Sequence, residues 1–219
     1  MDAVMTRRGH LYKITSLTAA ALMTFLAGCS SNSLSSLPTA TPQPSLTKNI
    51  NQYKYLIGPG DALTIFVWGN PEISGGYIVR PDGMLSTSLV DDVLASGRTP
   101  TELARSLEAQ LAEYVRDPIV SVIVNGFVGP YSEQVRVIGE AQQPMAINYR
   151  ENMTLLDVMV AVGGLTDFAD GNDARLIRVI GGQQKAFALS LGDLLRDGDI
   201  RRNVDILPGD IIIIPEAWF

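Results

Sequence analysis

A single cysteine is the residue best placed for covalent chemistry. Cys29 follows Leu26, Ala27 and Gly28, an order that matches the bacterial lipobox, in which the cysteine is acylated and becomes the mature N-terminus. Ahead of it lie a basic start and a mostly apolar run over residues 14–27, the layout of a signal peptide. An ordinary signal peptide with an incidental cysteine is the alternative. Because the only cysteine falls where the motif requires it, the sequence predicts a lipid anchor.

The leader also carries signals for export route and destination. Arg7 and Arg8 faintly suggest twin-arginine export, but His10 stands where that signal has an apolar residue, so general secretion is favoured. Ser30 follows the cysteine, whereas Asp is the familiar inner-membrane retention residue of Gram-negative lipoproteins. We therefore predict a signal peptide over residues 1–28 and a protein anchored on the periplasmic face of the outer membrane.

Cleavage before Cys29 restricts the chemistry left to the mature chain. It removes His10, the only histidine, and acylation leaves no free thiol. Histidine-based nucleophile systems and zinc sites built on His or Cys therefore cannot form. Carboxylate-only chemistry stays open, although most acidic residues stand beside turns or helix starts, where capping explains them. We expect no enzymatic activity, no metal, and no cofactor apart from the acyl lipid.

The charge balance argues against a nucleic-acid partner. The whole chain has a formal net charge of −6. Removing residues 1–28 takes away three basic residues and one acidic residue, so 14 basic residues face 22 acidic ones and the net charge becomes −8. A chain this acidic, with no long basic run, binds nucleic acid poorly.

Two stiff turns share the sequence Pro-Gly-Asp and bound the expected folded region. The first is Gly58-Pro59-Gly60-Asp61, and the second is Pro208-Gly209-Asp210. Proline fixes φ, glycine tolerates positive φ, and aspartate can accept hydrogen bonds from nearby backbone N–H groups. We therefore expect both aspartates to be structural turn residues at which a strand starts or changes direction.

Periodic patterns surround the first turn with a strand and a helix. A strand is expected at residues 63–67, with bulky side chains to bury on both faces, and a short strand at 77–79. The segment 98–115 predicts a helix capped by Thr99, with Glu102 completing a capping box. A further strand then runs to Val124.

The second half repeats this layout before the second turn. Strands are expected at residues 134–138 and again before residue 150, followed by a helix capped by Thr154 with Asp157 in its first turn. A hairpin over residues 175–189, one helical turn and a last strand over residues 206–214, broken by the second Pro-Gly-Asp turn, complete an α+β order. Residues 29–54 are rich in Ser, Thr and Pro and predict a flexible tether.

The first half resembles a known family. "YLIGPGDALTIFVW", residues 55–68, is similar to the opening of the polysaccharide export domain of Wza-like outer-membrane polysaccharide exporters, which are lipoproteins. Ile57 replaces the usual Leu. "VRPDGMLS", the capped helix and "RDPIVSVIV" follow in the family's order. Thr87, Ser88 and Asp91 depart from the usual pattern, which affects only local details of this module.

The second half resembles the family's SLBB domain, a β-grasp module named for soluble-ligand binding. The matching motifs are Gly139-Glu140, Pro144, residues 154–157, residues 163–166 and the second Pro-Gly-Asp turn. The resemblance implies a small polysaccharide export module over residues 55–128, followed by one β-grasp-like SLBB domain over residues 129–219.

The family's role implies the function and the partners. We expect part of a homo-oligomeric periplasmic ring through which capsular polysaccharide or exopolysaccharide passes, served by an inner-membrane polysaccharide co-polymerase. The family's C-terminal amphipathic pore helix has no counterpart before residue 219, so a separate outer-membrane β-barrel is a further expected partner. The alternative is a carbohydrate-binding or adaptor lipoprotein that conducts nothing.

Contacts to the polymer have only tentative candidates. Phe66, Trp68 and Tyr77 could stack on sugar rings, but core or subunit-interface positions are favoured for them. Four arginines could line a passage for an acidic polymer, although solvated charges or intersubunit pairs are favoured. These four are Arg175, Arg178, Arg201 and Arg202.

Overall fold

The computed structural model describes residues 45–218. Within this range it contains both helices and mixed sheets, which confirms the predicted α+β class. The signal peptide, the lipobox (Leu26, Ala27 and Gly28) and the acylation site Cys29 lie outside the described residues. The lipid anchor therefore stays a prediction.

The first module contains a three-stranded antiparallel sheet, a small hairpin and one helix. Its elements are β1 (Ala62–Val67), β2 (Gly75–Ile78), β3 (Met84–Leu85), β4 (Val93–Leu94), α1 (Pro100–Leu111) and β5 (Val120–Gly126). The sheet has the order β2-β1-β5, and β3 pairs with β4. The strand and helix expected around the first turn are therefore present.

Helix α1 covers one face of this sheet. Leu103, Leu107 and Leu111 are buried in the same hydrophobic cluster as the inward-facing residues of β1. The predicted capping box is present, because the Thr99 hydroxyl accepts from the Glu102 N–H (3.2 Å) while the Glu102 carboxylate accepts from the Thr99 N–H (2.8 Å). These two bonds satisfy N–H groups that a helix start leaves without partners.

The predicted C-terminal end of this helix was wrong. The segment 98–115 was predicted to be helical, but α1 ends at Leu111. The N–H groups of Glu113 and Tyr114 donate to carbonyls three residues back, those of Gln110 (3.4 Å) and Leu111 (2.9 Å), so the last turn tightens to 3₁₀-type bonding. Tyr114, beyond the end of α1, is 61% exposed.

The second module is built on a five-stranded sheet. Its elements are β6 (Gln134–Gly139), β7 (Ala146–Asn148), α2 (Leu155–Ala161), β8 (Ala174–Ile180), β9 (Gln183–Leu189), α3 (Leu191–Leu195) and β10 (Ile211–Ile214). The order is β7-β6-β10-β8-β9, in which β6 and β10 are parallel and the other pairs are antiparallel. The last strand of the described residues therefore lies in the middle of the sheet, with Ile212 and Ile214 buried in the core.

The prediction of a flexible tether was wrong for residues 45–54. Glu133 is 6% exposed, and its carboxylate accepts hydrogen bonds from the Ser45 hydroxyl (3.0 Å), the Leu46 N–H (2.6 Å) and the Thr47 hydroxyl (2.7 Å). This glutamate lies 86–88 residues further along the chain, so the Ser/Thr-rich composition of the segment gave no sign of the contact. The carboxylate therefore fixes this end of the segment.

Further along the same segment, two side chains pack against the core of the second module. Ile50 and Tyr53 contact that core, and the Tyr53 ring meets Tyr149 edge-on at 5.0 Å. Burial, together with the negative charge of Glu133, raises the pKa of Tyr53 to about 12. Tyr53 thus stays neutral, and residues 45–54 belong to the folded body.

Glu133→Ala should free the segment 45–54. Lys48 and Lys54 are already exposed. Without the carboxylate, three donors lose their common acceptor, so the segment unfolds locally more often and trypsin can bind the backbone around these lysines. We expect cleavage after these two lysines to become several-fold faster, as measured by mass spectrometry of a limited digest. Glu113→Ala, at an exposed position of the first module, is the matched control. Equal cleavage rates in the two variants would show that Glu133 does not hold the segment.

Candidate functional site

The aspartate of the first Pro-Gly-Asp turn is completely buried. Its side chain has no exposed surface, and both carboxylate oxygens are satisfied. Oδ2 accepts from the Tyr55 hydroxyl (2.6 Å) and the Gly58 N–H (2.9 Å), whereas Oδ1 accepts from the N–H groups of Val128 (2.7 Å) and Gly129 (3.0 Å). Asp61 therefore joins the start of β1 to the chain that follows β5.

Tyr55 is held in its neutral form by this contact. Burial and the hydrogen bond to Asp61 raise the pKa of Tyr55 far above its ordinary range. The ring also meets Phe127 edge-on at 5.2 Å. A neutral phenol that donates to a fully coordinated carboxylate is a structural arrangement, since it leaves neither group free to move a proton.

Gly58 is required by a close contact of two backbones. A Cβ atom at this position would lie 1.9 Å from the carbonyl carbon of Gly129, so no other residue fits without displacing the chain. The same loop that donates to Asp61 is thus pressed directly against the turn. Sequence and contact together explain why glycine precedes Pro59.

The second turn buries its aspartate by a different arrangement. Asp210 has no exposed surface, and Arg178 binds it with two bonds, Nε to Oδ1 at 2.9 Å and Nη2 to Oδ2 at 2.7 Å. The Leu207 N–H also donates to Oδ2 at 2.8 Å. A bidentate guanidinium therefore neutralises this carboxylate, whereas backbone N–H groups and a phenol solvate Asp61.

Both turns contact one connection, residues 127–133, which links β5 to β6. The first turn holds it through Val128 and Gly129. At the second turn, Gly209 has φ +84° and lies so close to Ser132 that a Cβ would be 2.6 Å from its carbonyl oxygen. The Asn148 side chain donates to the Phe127 carbonyl from the second sheet. The connection is therefore fixed from both modules, and the turns act as its supports.

The outer face of the first sheet carries exposed aromatic side chains. Phe66 and Trp68 are 44% and 69% exposed and meet edge-on at 6.2 Å. The expectation that both faces of β1 are buried was wrong, because within residues 45–218 no element covers this face. Of the three aromatics proposed for sugar or interface contacts, Tyr77 differs: it is half-buried and packs against the core.

The four arginines considered for a polymer passage are all paired with carboxylates of the same chain. Arg178 binds buried Asp210, whereas the arginines of the other pairs are at least half exposed. These pairs are Arg175 with Asp173, Arg201 with Asp199, and Arg202 with Asp193 and Asp199. The positive charge of each arginine is therefore compensated by a nearby carboxylate.

Residues 45–218 also hold no cluster of three or more His, Cys, Asp or Glu side chains arranged to bind a metal ion.

Two family models match this chain. Residues 49–125 match the model described as polysaccharide biosynthesis/export protein, and residues 134–186 match the SLBB domain model. The chain is therefore similar to a polysaccharide biosynthesis/export domain over residues 49–125 and to an SLBB domain over residues 134–186. The first match begins at residue 49, ahead of the predicted module start at residue 55, and so includes part of the predicted tether. The exact domain boundaries stay a prediction.

Curated relatives carry related names. Two proteins named EPS I polysaccharide export outer membrane protein EpsA, from Ralstonia nicotianae and Ralstonia solanacearum, are each 28% identical. Their alignments cover 74% and 72% of this chain and 47% of each relative. The exopolysaccharide production protein ExoF from Rhizobium meliloti is 32% identical over 51% of this chain and 28% of its own length. The chain thus spans about half the length of the EpsA relatives.

The export and SLBB domains contain structural contacts that the sequence analysis did not predict. It did not pair Tyr55 with Asp61, although both belong to one motif six residues apart. It treated Arg178 as a surface charge, whereas the structure makes it the partner of Asp210, 32 residues away.

Among residues 45–218, no helix has the length and hydropathy needed to cross a bilayer.

Asp61→Asn should destabilise the export domain. The amide keeps one acceptor oxygen but turns its NH₂ group toward two donors, leaving buried N–H or O–H groups without partners. We expect the free energy of unfolding to fall by about 2–4 kcal/mol, measured by urea denaturation. Asp91→Asn, at an exposed position of the same domain, is the matched control. Similar midpoints for the two variants would contradict the role assigned to Asp61.

Arg178→Ala should destabilise the SLBB domain. Its loss leaves Asp210 buried, charged and bonded only to the Leu207 N–H, so we expect a cost of about 3–5 kcal/mol. Arg175→Ala lies on the same strand but breaks a pair whose partners are 60% and 61% exposed, and should cost within about 0.5 kcal/mol. Thermal unfolding of the two variants in parallel measures the difference. Equal losses would refute the structural role of Arg178.

Proposed function

We propose that this chain is an outer-membrane-anchored periplasmic lipoprotein that forms part of a ring-shaped conduit for an exported polysaccharide. The observation that carries the proposal is the succession of an export domain and an SLBB domain, matched at residues 49–125 and 134–186. The names of the EpsA and ExoF relatives support exopolysaccharide as the class of cargo. The anchor is the acyl lipid expected on Cys29.

The proposed mechanism is conduction, in which no bond of the polymer is made or broken. Both buried carboxylates are occupied by structural donors, so neither Asp61 nor Asp210 serves as an acid or base. The two turns bind the connection 127–133 and would hold the two domains of each copy in a fixed relative position. Polymer and energy would come from an inner-membrane co-polymerase docked below the ring.

The exposed aromatic pair is the proposed contact surface of the export domain. Phe66 and Trp68 lie on an uncharged sheet face together with Thr64 and Asn125, which are linked by a side-chain hydrogen bond. Such a face suits either a neighbouring copy or the apolar faces of sugar rings. Locally paired arginines and an acidic chain argue against recognition of an acidic polymer through bulk positive charge.

A clean deletion tests the export function. We expect secreted polysaccharide to fall sharply and periplasmic polysaccharide to accumulate, with both restored by the wild-type gene. Complementation with Cys29→Ala should shift the protein out of the membrane fraction and fail to restore full export. Unchanged secretion in the deletion strain would refute the export role, and unchanged membrane fractionation of the Cys29 variant would refute the anchor.

Oligomeric state separates the conduit from a non-conducting adaptor. A ring predicts a stable homo-oligomer after extraction in mild detergent, whereas a carbohydrate-binding or adaptor lipoprotein can function as a monomer. Size measurement by light scattering distinguishes the two. A stable monomer would count against the conduit.

A further inference from the structure

The three-stranded sheet of the export domain has two open edges. β1 lies between β2 and β5, so each outer strand has one side without a partner strand. β2 and β5 both run antiparallel to β1 and are therefore parallel to each other. Open edges expose backbone N–H and C=O groups that can pair with another strand.

The hydrogen-bond pattern identifies which groups face outward on β5. The Trp68 N–H donates to the Ile119 carbonyl at 2.9 Å, so alternate residues of β5 bond to β1 and the residues between them face the open edge. Val120 faces outward, but α1 caps it: its N–H donates to Glu108 (2.9 Å) and its C=O accepts from Arg105 (3.2 Å).

Beyond Val120 this cap is missing. Val122 and Val124 face the same edge, because the ladder pattern turns their N–H and C=O groups away from β1. Among residues 45–218, no backbone hydrogen bond outside the strand ladders involves these groups. The strand, Val-Ser-Val-Ile-Val-Asn-Gly, contains no charged residue and no proline. It therefore lacks the usual side chains that protect a free edge, and only a register shift near its C-terminal end interrupts it.

β2 offers a matching edge on the opposite side. By the same alternation, Tyr77 and Gly75 form the hydrogen-bonded pairs with β1, so the N–H and C=O groups of Gly76 and Ile78 face outward. No backbone hydrogen bond outside the strand ladders involves these groups within the described residues. The space beside Gly76 is open, since a Cβ there would meet no atom within 4 Å. Each edge thus presents two outward-facing residues separated by one.

We propose that β5 of one copy pairs in parallel with β2 of the next copy, so that the sheet continues from subunit to subunit. One register aligns Ile123 with Ile78 of the next copy on the outer face and Val122 with Tyr77 on the inner face. It forms three hydrogen bonds: Val122 N–H to the Gly76 carbonyl, Ile78 N–H to the Val122 carbonyl, and Val124 N–H to the Ile78 carbonyl.

A second copy is the occupant because both complementary edges are present on one chain. Ile78 and Ile123, which flank the two edges, are 69% and 53% exposed and would cover each other. The two edges are different surfaces, so the contact is head-to-tail, and such contacts close into rings when the rotation between copies permits. This inference rests on the proposed ring-shaped conduit, and it identifies β5 and β2 as the contact between neighbouring subunits of that ring.

Engineered cysteines test this pairing in cells that express the full chain. Ile78→Cys/Ile123→Cys should give a ladder of disulfide-linked oligomers on non-reducing gels. Either single variant alone should give none, and the two single variants expressed together should stop at dimers. The control double variant Val160→Cys/Phe187→Cys, on exposed SLBB positions, should give no ladder. Dimers from Ile123→Cys alone would indicate two-fold β5–β5 pairing and overturn the proposal.

A second variant tests the edge without cysteines. Val122→Pro removes one outward N–H that has no partner among the described residues 45–218, so we expect the fraction of protein in oligomers to fall at least several-fold while circular dichroism stays unchanged. The pairing would be refuted, and the conduit would not, if Val122→Pro formed normal oligomers and the double cysteine variant did not cross-link. A monomeric wild-type protein would refute both the pairing and the conduit. If the cysteines cross-linked but the deletion strain exported normally, only the export role would be refuted.

Discussion

The carboxylate of Asp61 connects the two halves of this protein. Among residues 45–218 no Lys or Arg pairs with it, and four donors surround it, two from the turn region and two from the connection after β5. A buried carboxylate is costly unless it is fully hydrogen-bonded, so the turn and the connection must stay together for the fold to persist. The Gly58–Gly129 contact, the Tyr55–Phe127 packing and the path into β6 all follow from that constraint.

The two turns share the sequence Pro-Gly-Asp, but their buried aspartate carboxylates are stabilised in different ways. Asp61 is solvated by N–H groups and a phenol, whereas Asp210 is neutralised by Arg178. The difference reflects what lies nearby: the first turn faces a loop that offers two successive N–H groups, and the second faces strand β8 with its long side chains. Glu133 likewise binds residues 45–47. The three buried carboxylates therefore hold together the segment 45–54, both turns and the connection 127–133.

Local sequence patterns predicted most of the helices, strands and turns. Contacts between residues far apart in the sequence could not be predicted from these patterns. The capping boxes at Thr99 and Thr154 and both turns involve residues three or four apart, so the sequence reveals them directly. The exposed side of β1 was mispredicted because alternation shows which residues share a face but not whether another layer covers it. The Arg178–Asp210 pair and the contacts of Glu133 join distant residues, and no local pattern encodes such pairings.

The central position of β10 affects when the SLBB domain can fold. β10 is the last strand of the described chain, yet it lies between β6 and β8 and pairs with both. Until β10 has been synthesised and is free to pair, those two strands lack their shared neighbour and the core lacks Ile212 and Ile214. Non-local pairing of this kind delays folding. During synthesis the SLBB sheet would thus stay open until β10 was available, after which β6 and β8 could both pair with it in a single step.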